Sequence, residues 1–255
     1  MLNKLILIGA SKGIGRKFLE TYSSTATEIL AIGSSDKIYE LEQVSKNIEI
    51  IKADISNIEL FESDFKKWMS TKSWNSTQKI GLVCFASIIG DPGGIDKFDH
   101  QSYQNLFNCN LFSHLSIISL LKKKIDKSNS FRVIMLAGGG AAYGYPDFFS
   151  YSLSKVAVIR AVENIGLEFV RENLNASIIA LAPGAVDTDM LKKVIANGGY
   201  VKTKTDIKEP ITFINKFLLD ILDSLSLNGR FIHVRDNLDR SLKSNQDLFM
   251  LRRIE

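Results

Sequence analysis

The sequence predicts an α/β fold, a doubly wound, seven-stranded parallel sheet with helices on both faces. Short apolar runs rich in isoleucine and valine alternate with longer segments of helical period, which is typical of βαβ units. A glycine-rich turn directly follows the first of these runs. The 255 residues include only four prolines, and 45% of them are hydrophobic, so the chain can bury a large core.

Seven apolar runs have the length of buried parallel strands. They cover residues 5–8, 29–32, 48–52, 81–85, 132–136, 176–181 and 230–234. The segments of helical period are residues 14–22, 58–69, 102–124, 151–172 and 211–225. Because no linker or internal repeat divides the chain, we expect residues 1–255 to form a single domain. Residues 188–210 have weak periodicity, and we interpret them as either a mobile substrate lid or an ordinary surface loop.

Composition excludes several classes of function. The net charge is only +4 and the lysines are scattered, so we expect no nucleic-acid partner. The two cysteines, Cys84 and Cys109, match no metal-ligand spacing, which indicates a reducing compartment and no metal site. The N-terminal apolar run is too short for a signal peptide, and no later run approaches about 18 apolar residues. We therefore expect a cytoplasmic protein that does not bind membranes.

A candidate phosphate-binding turn follows the first predicted strand. It reads Gly9-Ala10-Ser11-Lys12-Gly13-Ile14-Gly15 and leads directly into a helical segment. Glycines at a strand-to-helix turn let the backbone approach a pyrophosphate, whose charge sits on the amides of the helix N-terminus. The alternative is a merely tight turn. The position between strand and helix favours a Rossmann-type dinucleotide-binding domain.

The end of the second predicted strand favours NADP over NAD. NAD enzymes of this fold usually place an acid there to hold the ribose 2′-hydroxyl, and this chain has Gly33. Asp36 lies three residues further on and is interpreted as a turn residue. Lys12, with the hydroxyls of Ser34 and Ser35, could hold a 2′-phosphate instead. Lys12 could also be a solvated surface lysine, and NAD stays possible.

The pair Tyr151 and Lys155 is the strongest catalytic signal. Residues four apart share one face of a helix, so the Lys155 ammonium can lie near the Tyr151 hydroxyl. A positive charge within about 4–6 Å would lower the tyrosine pKa by roughly 1–3 units. Tyr151 could then exchange a proton with a carbonyl or alcohol oxygen. The alternative is an exposed helical turn without chemistry.

Together these motifs resemble the short-chain dehydrogenase/reductase family, over residues 4–234. The glycine spacing Gly-x-x-x-Gly-x-Gly and the Tyr-x-x-x-Lys pair carry the resemblance. It implies that Asn110 positions a water linking the lysine to solvent. It also implies cofactor contacts beyond the glycine turn, from Asp54, Ile55, Ala86, Lys155, Pro183, Gly184, Val186 and Thr188.

Two positions depart from the family pattern. Family members carry a serine at the end of the fifth strand, and counting back from Tyr151 places Gly138 there. Cys84-Phe85-Ala86-Ser87 stands where members often have Asn-Asn-Ala-Gly. Losing one hydrogen-bond donor to the reacting oxygen costs about 10²–10³ in turnover. Three explanations for Gly138 are open. A substrate hydroxyl or a water could supply the missing donor, or Ser87, Tyr143 or backbone amides could replace it. Alternatively, the protein no longer catalyses a reaction.

The sequence thus predicts an NADP-preferring oxidoreductase that transfers hydride between nicotinamide and a carbonyl or alcohol group of a small-molecule substrate. The small residues 138–142 resemble a subset of short-chain enzymes from polysaccharide and nucleotide-sugar pathways, which implies a sugar or nucleotide-sugar substrate. One alternative is a non-catalytic nucleotide sensor or scaffold, and another is a nucleotide-sugar epimerase or dehydratase. The apolar helices at 102–124 and 151–172 resemble the family's dimer interface, so we expect a homodimer or homotetramer.

Overall fold

The computed structural model describes residues 1–201 and 203–239. The first half of the chain alternates strands and helices. Its elements are β1 (Leu2–Ile8), α1 (Gly13–Tyr22), β2 (Ala26–Gly33), β3 (Ile48–Lys52), α2 (Ile58–Ser70) and β4 (Lys79–Cys84). Short 3-10 helices at Ser23–Thr25 and Asp36–Gln43 flank β2.

The second half continues the alternation with more helix. Its elements are α3 (His100–Phe107), α4 (Ser113–Lys122), β5 (Ser130–Leu136), α5 (Gly139–Ala142), α6 (Phe149–Arg171), β6 (Ala176–Ala182), β7 (Ala185–Val186), α7 (Asp189–Ala196), β8 (Lys204–Thr205), α8 (Lys208–Leu218) and β9 (Phe231–His233). A 3-10 helix at Ile95–Lys97 precedes α3, and a π-helical turn at Asn108–Phe112 joins α3 to α4.

The main sheet confirms the predicted fold class. Its seven parallel strands run in the order β3-β2-β1-β4-β5-β6-β9, so the winding reverses between β1 and β4. Ile8 of β1 is in register with Ile32 of β2 and with Cys84 of β4. These neighbouring strands therefore end level with one another, and their carboxyl ends form one edge at the point of reversal.

Two apolar cores cover the two faces of the sheet. One packs β-strand residues against side chains of α2, α4 and α6, and includes Phe65 and Phe169. The other packs the opposite face against α1 and α8, and includes Phe18 and Phe217. Strands β5 and β6 are buried along their whole length. Burial on both faces explains why these strands are almost continuously apolar. No helix in the described part of the chain is both long and apolar enough to cross a membrane.

Several predicted segments need correction. Residues 102–124 are not one α-helix, because the π-helical turn separates α3 from α4. The segment 188–210 contains regular structure: Thr188 caps α7, and β7 pairs with β8 in a separate two-stranded sheet. The last helix, predicted at 211–225, is α8 at Lys208–Leu218. It begins earlier because Pro210 fits the first turn of a helix, and it packs there as a buried residue.

Candidate cofactor and catalytic site

A cleft of about 1190 Å³ opens at the carboxyl edge of the sheet. Fifteen of the sixteen predicted cofactor residues line it: Gly9, Ser11, Lys12, Gly13, Ile14, Gly15, Ser34, Asp54, Ile55, Ala86, Lys155, Pro183, Gly184, Val186 and Thr188. Ser35 is the exception, because its hydroxyl is buried outside the cleft lining. Tyr151 lines the cleft with Lys155, whereas the third predicted catalytic residue, Asn110, does not.

The glycine turn forms a tight backbone cradle at the start of α1. Gly9 has a φ of +95°, and a Cβ there would lie 2.4 Å from the amide nitrogen of Ala86. A Cβ on Gly15 would lie 2.3 Å from the carbonyl oxygen of Gly9. Any larger residue would therefore displace backbone at either position. The turn brings β1, β4 and the N-terminus of α1 together, as a pyrophosphate site requires.

The adenosine end of the cleft has no place for an acid at the tip of β2. A Cβ on Gly33 would lie only 1.9 Å from the Ser11 hydroxyl oxygen. Asp36 is turned to Lys52 in an exposed ion pair at 2.5 Å, and neither residue lines the cleft. Lys12 and Ser34 are exposed and do line the cleft. This end of the cleft therefore offers hydroxyls and one ammonium group rather than a carboxylate at the β2 tip.

Two hydroxyls in the cleft fit a bound dinucleotide. The side-chain oxygens of Ser11 and Ser87 are buried and have no hydrogen-bond partner within the described residues. Both residues line the cleft, on the loops after β1 and β4. A buried hydroxyl without a partner costs about 1–3 kcal/mol, which a ligand oxygen would recover. With the glycine cradle, these two hydroxyls make the site suited to a ligand rich in phosphate and ribose oxygens.

Lys155 is anchored beneath Tyr151. Both belong to α6, one helical turn apart, and Lys155 is 1% exposed. Its Nζ donates a hydrogen bond to the Leu136 carbonyl oxygen at 2.9 Å, at the end of β5. The same Nζ lies 5.6 Å from the centroid of the Tyr151 ring. The ammonium group is therefore held by the sheet, under the aromatic ring.

The expected lowering of the Tyr151 pKa is wrong for this arrangement. Burial raises the pKa of Tyr151 to about 12, because the phenolate would lose its hydration. Burial also lowers the pKa of Lys155 to about 8, because the ammonium form is penalised in the same way. Spacing alone could not reveal this, since desolvation depends on what packs around the helix.

Asn110 is buried behind the cleft in the π-helical turn. Its side-chain oxygen accepts a hydrogen bond from the Ile88 amide at 2.8 Å. Its side-chain nitrogen donates to the Ile88 carbonyl oxygen at 2.9 Å and to the Ser154 hydroxyl at 3.0 Å. Asn110 thus ties the loop after β4 to α6, next to Lys155. Sequence reasoning missed Ser154 and the π-helical turn, and such turns are frequent at functional sites.

Gly138 lies opposite the reactive hydroxyl. A Cβ on Gly138 would meet only one atom within 4 Å, the Tyr151 hydroxyl oxygen at 3.2 Å. Its backbone is extended, with φ of 173°, so other residues could adopt it. The position counted from Tyr151 as that of the family's serine is therefore an open space beside Tyr151.

The substrate end of the cleft was only partly predicted. Its aromatic lining includes Tyr143, named above as a possible donor, together with Tyr145, and also Tyr200, which sequence reasoning missed. It also missed Met190, Leu191 and Val194 of α7, His233 at the end of β9 and Asp236 after it. The apolar residues of α7 do have helical spacing, but this short helix falls in the segment that we interpreted as a lid or loop.

Comparison with known proteins agrees with this geometry. The family model for short chain dehydrogenase matches residues 3–198. The chain is 23% identical to a benzil reductase ((S)-benzoin forming) of Bacillus cereus, over 84% of each chain. It is 22% identical to a 7alpha-hydroxysteroid dehydrogenase of Escherichia coli strain K12, over 74% of this chain and 73% of that one.

A solved structure of ElxO with NADP bound shares the fold. Its TM-score is 0.75 at 17% sequence identity, over 92% of this chain and 97% of that one. The family model covers well over half of the chain, and it coincides with the part that builds the glycine cradle, Tyr151 and Lys155. The chain accordingly belongs to the short-chain dehydrogenase family of NAD(P)-dependent oxidoreductases.

Proposed function

We propose that the protein is an NADP-preferring reductase of bulky carbonyl compounds, with Tyr151 as the proton donor. The observation that carries this proposal is the pairing of Tyr151 and Lys155 in the same cleft as the glycine cradle. The nicotinamide of a bound cofactor would supply the hydride. Tyr151 would hold the proton at its hydroxyl oxygen and pass it to the substrate oxygen, in either direction.

Lys155 and Asn110 support that proton transfer without contacting the substrate. A pKa of about 8 lets Lys155 carry charge at neutral pH and still release a proton. Asn110 anchors the loop after β4 and the first part of α6, so it keeps Lys155 in place through Ser154. We therefore assign Tyr151 as acid/base, Lys155 as its charged partner and Asn110 as a positioning residue.

The preference for NADP rests on the adenosine end of the cleft. An acid at residue 33 would collide with Ser11, and Asp36 is held by Lys52. Lys12 is exposed in the cleft and could pair with a 2′-phosphate. The similar ElxO structure has NADP bound. NAD would find no carboxylate at the tip of β2 to hold its 2′-hydroxyl.

A bulky, largely apolar ketone fits the lining better than a sugar. The substrate end combines small residues at 138–140 with tyrosines and the apolar side chains of α7. Sugar sites need many hydrogen-bonding side chains, whereas aromatic and aliphatic walls suit hydrophobic substrates. The names of the two relatives refer to benzil and hydroxysteroids, which are carbonyl or alcohol compounds of this kind. Sugars and nucleotide-sugars should still be tested as substrates, because the small residues at 138–140 leave room for them.

We also propose that the protein is a homodimer that pairs through α6. The outer face of α6 exposes Leu153, Val156, Leu167 and Val170, the last two to about 70%. Apolar residues repeating at helical spacing on an outer face are typical of a self-complementary twofold interface.

Cofactor binding is tested by titrating the protein with NADPH and NADH and following energy transfer from protein to nicotinamide. We expect tighter binding of NADPH, and Lys12→Ala should remove the difference. Lys67→Ala, an exposed lysine of α2 outside the cleft, is the charge-matched control. Equal affinity for both cofactors in the unaltered protein would contradict the NADP preference.

Turnover is tested with Tyr151→Phe in a screen of aromatic ketones, hydroxysteroids and sugars. We expect NADPH-dependent reduction of an apolar ketone that Tyr151→Phe abolishes while cofactor affinity is kept. Binding of NADPH without turnover of any compound would favour the sensor or scaffold. Cofactor retained through purification, with sugar conversion and no net NADPH change, would favour the epimerase or dehydratase.

A further inference from the structure

A second tyrosine hydroxyl reaches into the cleft where the family's serine is missing. Of the tyrosines that line the cleft with Tyr151, Tyr143 and Tyr200 are about 80% exposed. Tyr145 is half-buried and lines the cleft. Its hydroxyl forms no hydrogen bond with another group of residues 1–201 and 203–239, so it is free to donate to a ligand oxygen.

The ring of Tyr145 is held on two sides. Its centroid lies 4.7 Å from that of Phe148, which is 1% exposed, and the Phe148 amide donates to the Tyr145 carbonyl oxygen at 3.0 Å. On the other side, a Cβ on Gly199 would lie 2.6 Å from the Tyr145 hydroxyl oxygen. The hydroxyl therefore packs against the backbone that follows α7. A donor held in this way loses little entropy when it binds an oxygen.

Tyr145 also acts electrostatically on Tyr151. Its hydroxyl contributes to raising the pKa of Tyr151, a smaller effect than burial. Both residues line the same cleft. A Cβ on Gly138 would meet only the Tyr151 hydroxyl oxygen within 4 Å, so the space beside Tyr151 is open to a substrate oxygen and to a second donor.

We propose that Tyr145 donates a hydrogen bond to the substrate carbonyl oxygen and thereby replaces the serine absent at Gly138. This inference rests on the proposed function, because it assigns a second donor in the same site. Tyr145 would keep its proton throughout, while Tyr151 transfers its own. Ser87 also has an unpaired hydroxyl in the cleft, but its neighbour Ala86 packs against Gly9 in the glycine cradle. That contact places Ser87 on the cofactor side.

The test compares four forms of the enzyme: unaltered, Tyr145→Phe, Gly138→Ser and the double variant. Tyr145→Phe should lower kcat about 10²-fold with less than a threefold change in KM, as expected for loss of one donor to the reacting oxygen. Gly138→Ser in that background should restore kcat to within about tenfold. In the unaltered background it should add little, because the two donors serve one oxygen and their effects are not additive.

Tyr103→Phe is the matched control. Tyr103 is also half-buried and packs against a phenylalanine ring, that of Phe98, with their centroids 4.6 Å apart, but it lies outside the cleft that holds Tyr151. Removing the Tyr103 hydroxyl should leave kcat unchanged. NADPH titration verifies that every variant is folded. A normal kcat in Tyr145→Phe, or a loss that Gly138→Ser does not rescue, would overturn the inference alone. If every form binds NADPH but none reduces any ketone, the proposed function fails and the inference fails with it.

Discussion

The ammonium group of Lys155 donates to the carbonyl oxygen of Leu136 across 2.9 Å, which ties α6 to the end of β5. This contact places the one buried cation of the described cleft lining beneath the Tyr151 ring, at 5.6 Å from its centroid. The ammonium group thus faces the Tyr151 ring, while its hydrogen bond goes to Leu136.

The pH dependence of reduction should show an inflection near pH 8. Below that pH, Lys155 is charged and supports the negative charge that forms on Tyr151 as its proton leaves. We expect kcat/KM for ketone reduction to be constant below about pH 8 and to fall above it. A pH profile with NADPH checks this. Lys155→Met should lose the inflection, and an unchanged inflection in that variant would show that another group titrates.

Lys155→Met should stabilise the protein at neutral pH while impairing catalysis. The folded-state pKa of about 8 lies below the ordinary value of 10.5, so below pH 8 the folded state must bury a charge. The penalty is fully present at pH 7 and disappears as pH rises through the interval from 8 to 10.5. After the lost hydrogen bond to Leu136 is subtracted, we expect a gain of about 1–2 kcal/mol at pH 7.

Urea unfolding at pH 7 and pH 9.5 measures this gain, which should be smaller at the higher pH. Lys67→Met, on the exposed face of α2, should leave stability unchanged at both values. A loss of stability in Lys155→Met at pH 7 would mean that the Leu136 hydrogen bond outweighs the cost of burying the charge.

Asn110→Ala should cost more stability than Ser154→Ala. Asn110→Ala removes three bonds of the Asn110 side chain, to the Ile88 amide, the Ile88 carbonyl group and the Ser154 hydroxyl, each worth about 1 kcal/mol. Ser154→Ala removes two bonds, one accepted from Asn110 and one donated to the Tyr151 carbonyl oxygen, at about 1 kcal/mol each. Urea unfolding should therefore show that Asn110→Ala lowers the free energy of unfolding by roughly 2–4 kcal/mol. Similar losses for the two variants would mean that the loop after β4 finds other partners.

Changing cofactor preference should require two substitutions. Gly33→Asp alone places a Cβ 1.9 Å from the Ser11 hydroxyl oxygen, so it should weaken NADPH and NADH alike. Adding Ser11→Gly removes the collision and leaves a carboxylate free for the ribose 2′-hydroxyl. Fluorescence titration should then show tighter binding of NADH than of NADPH. Ser11→Gly alone is the control, and it should still bind NADPH more tightly than NADH, as the unaltered protein does. If Gly33→Asp by itself favours NADH, the collision has no effect on binding.

The proposed dimer should dissociate when charge is placed on the outer face of α6. Leu167 and Val170 are exposed and one turn apart, so the double variant Leu167→Lys, Val170→Lys sets two positive charges against their copies. Size-exclusion chromatography with light scattering should report a dimer before the change and the 28.5 kDa monomer after it. Ile195→Lys, an exposed apolar residue on α7, should leave the dimer intact. A monomer in the unaltered protein would contradict the proposal.

The amino-acid sequence by itself determined the sheet, the glycine turn and the Tyr151–Lys155 pair. Each depends on a local pattern: apolar runs, glycines between a strand and a helix, or two residues four apart on one helix face. Local patterns survive folding because neighbours in the chain stay neighbours in space. The sequence also located Gly138 beside Tyr151, because counting back along the chain from Tyr151 identified that position.

Only the tertiary structure decided the raised pKa of Tyr151, the placing of Ser35 outside the cleft and the clash between residue 33 and Ser11. The same holds for Tyr145, whose hydroxyl reaches the backbone at Gly199, far along the chain. Desolvation and close contact depend on which distant segments pack together. They arise from the whole fold, and no short window of sequence contains them.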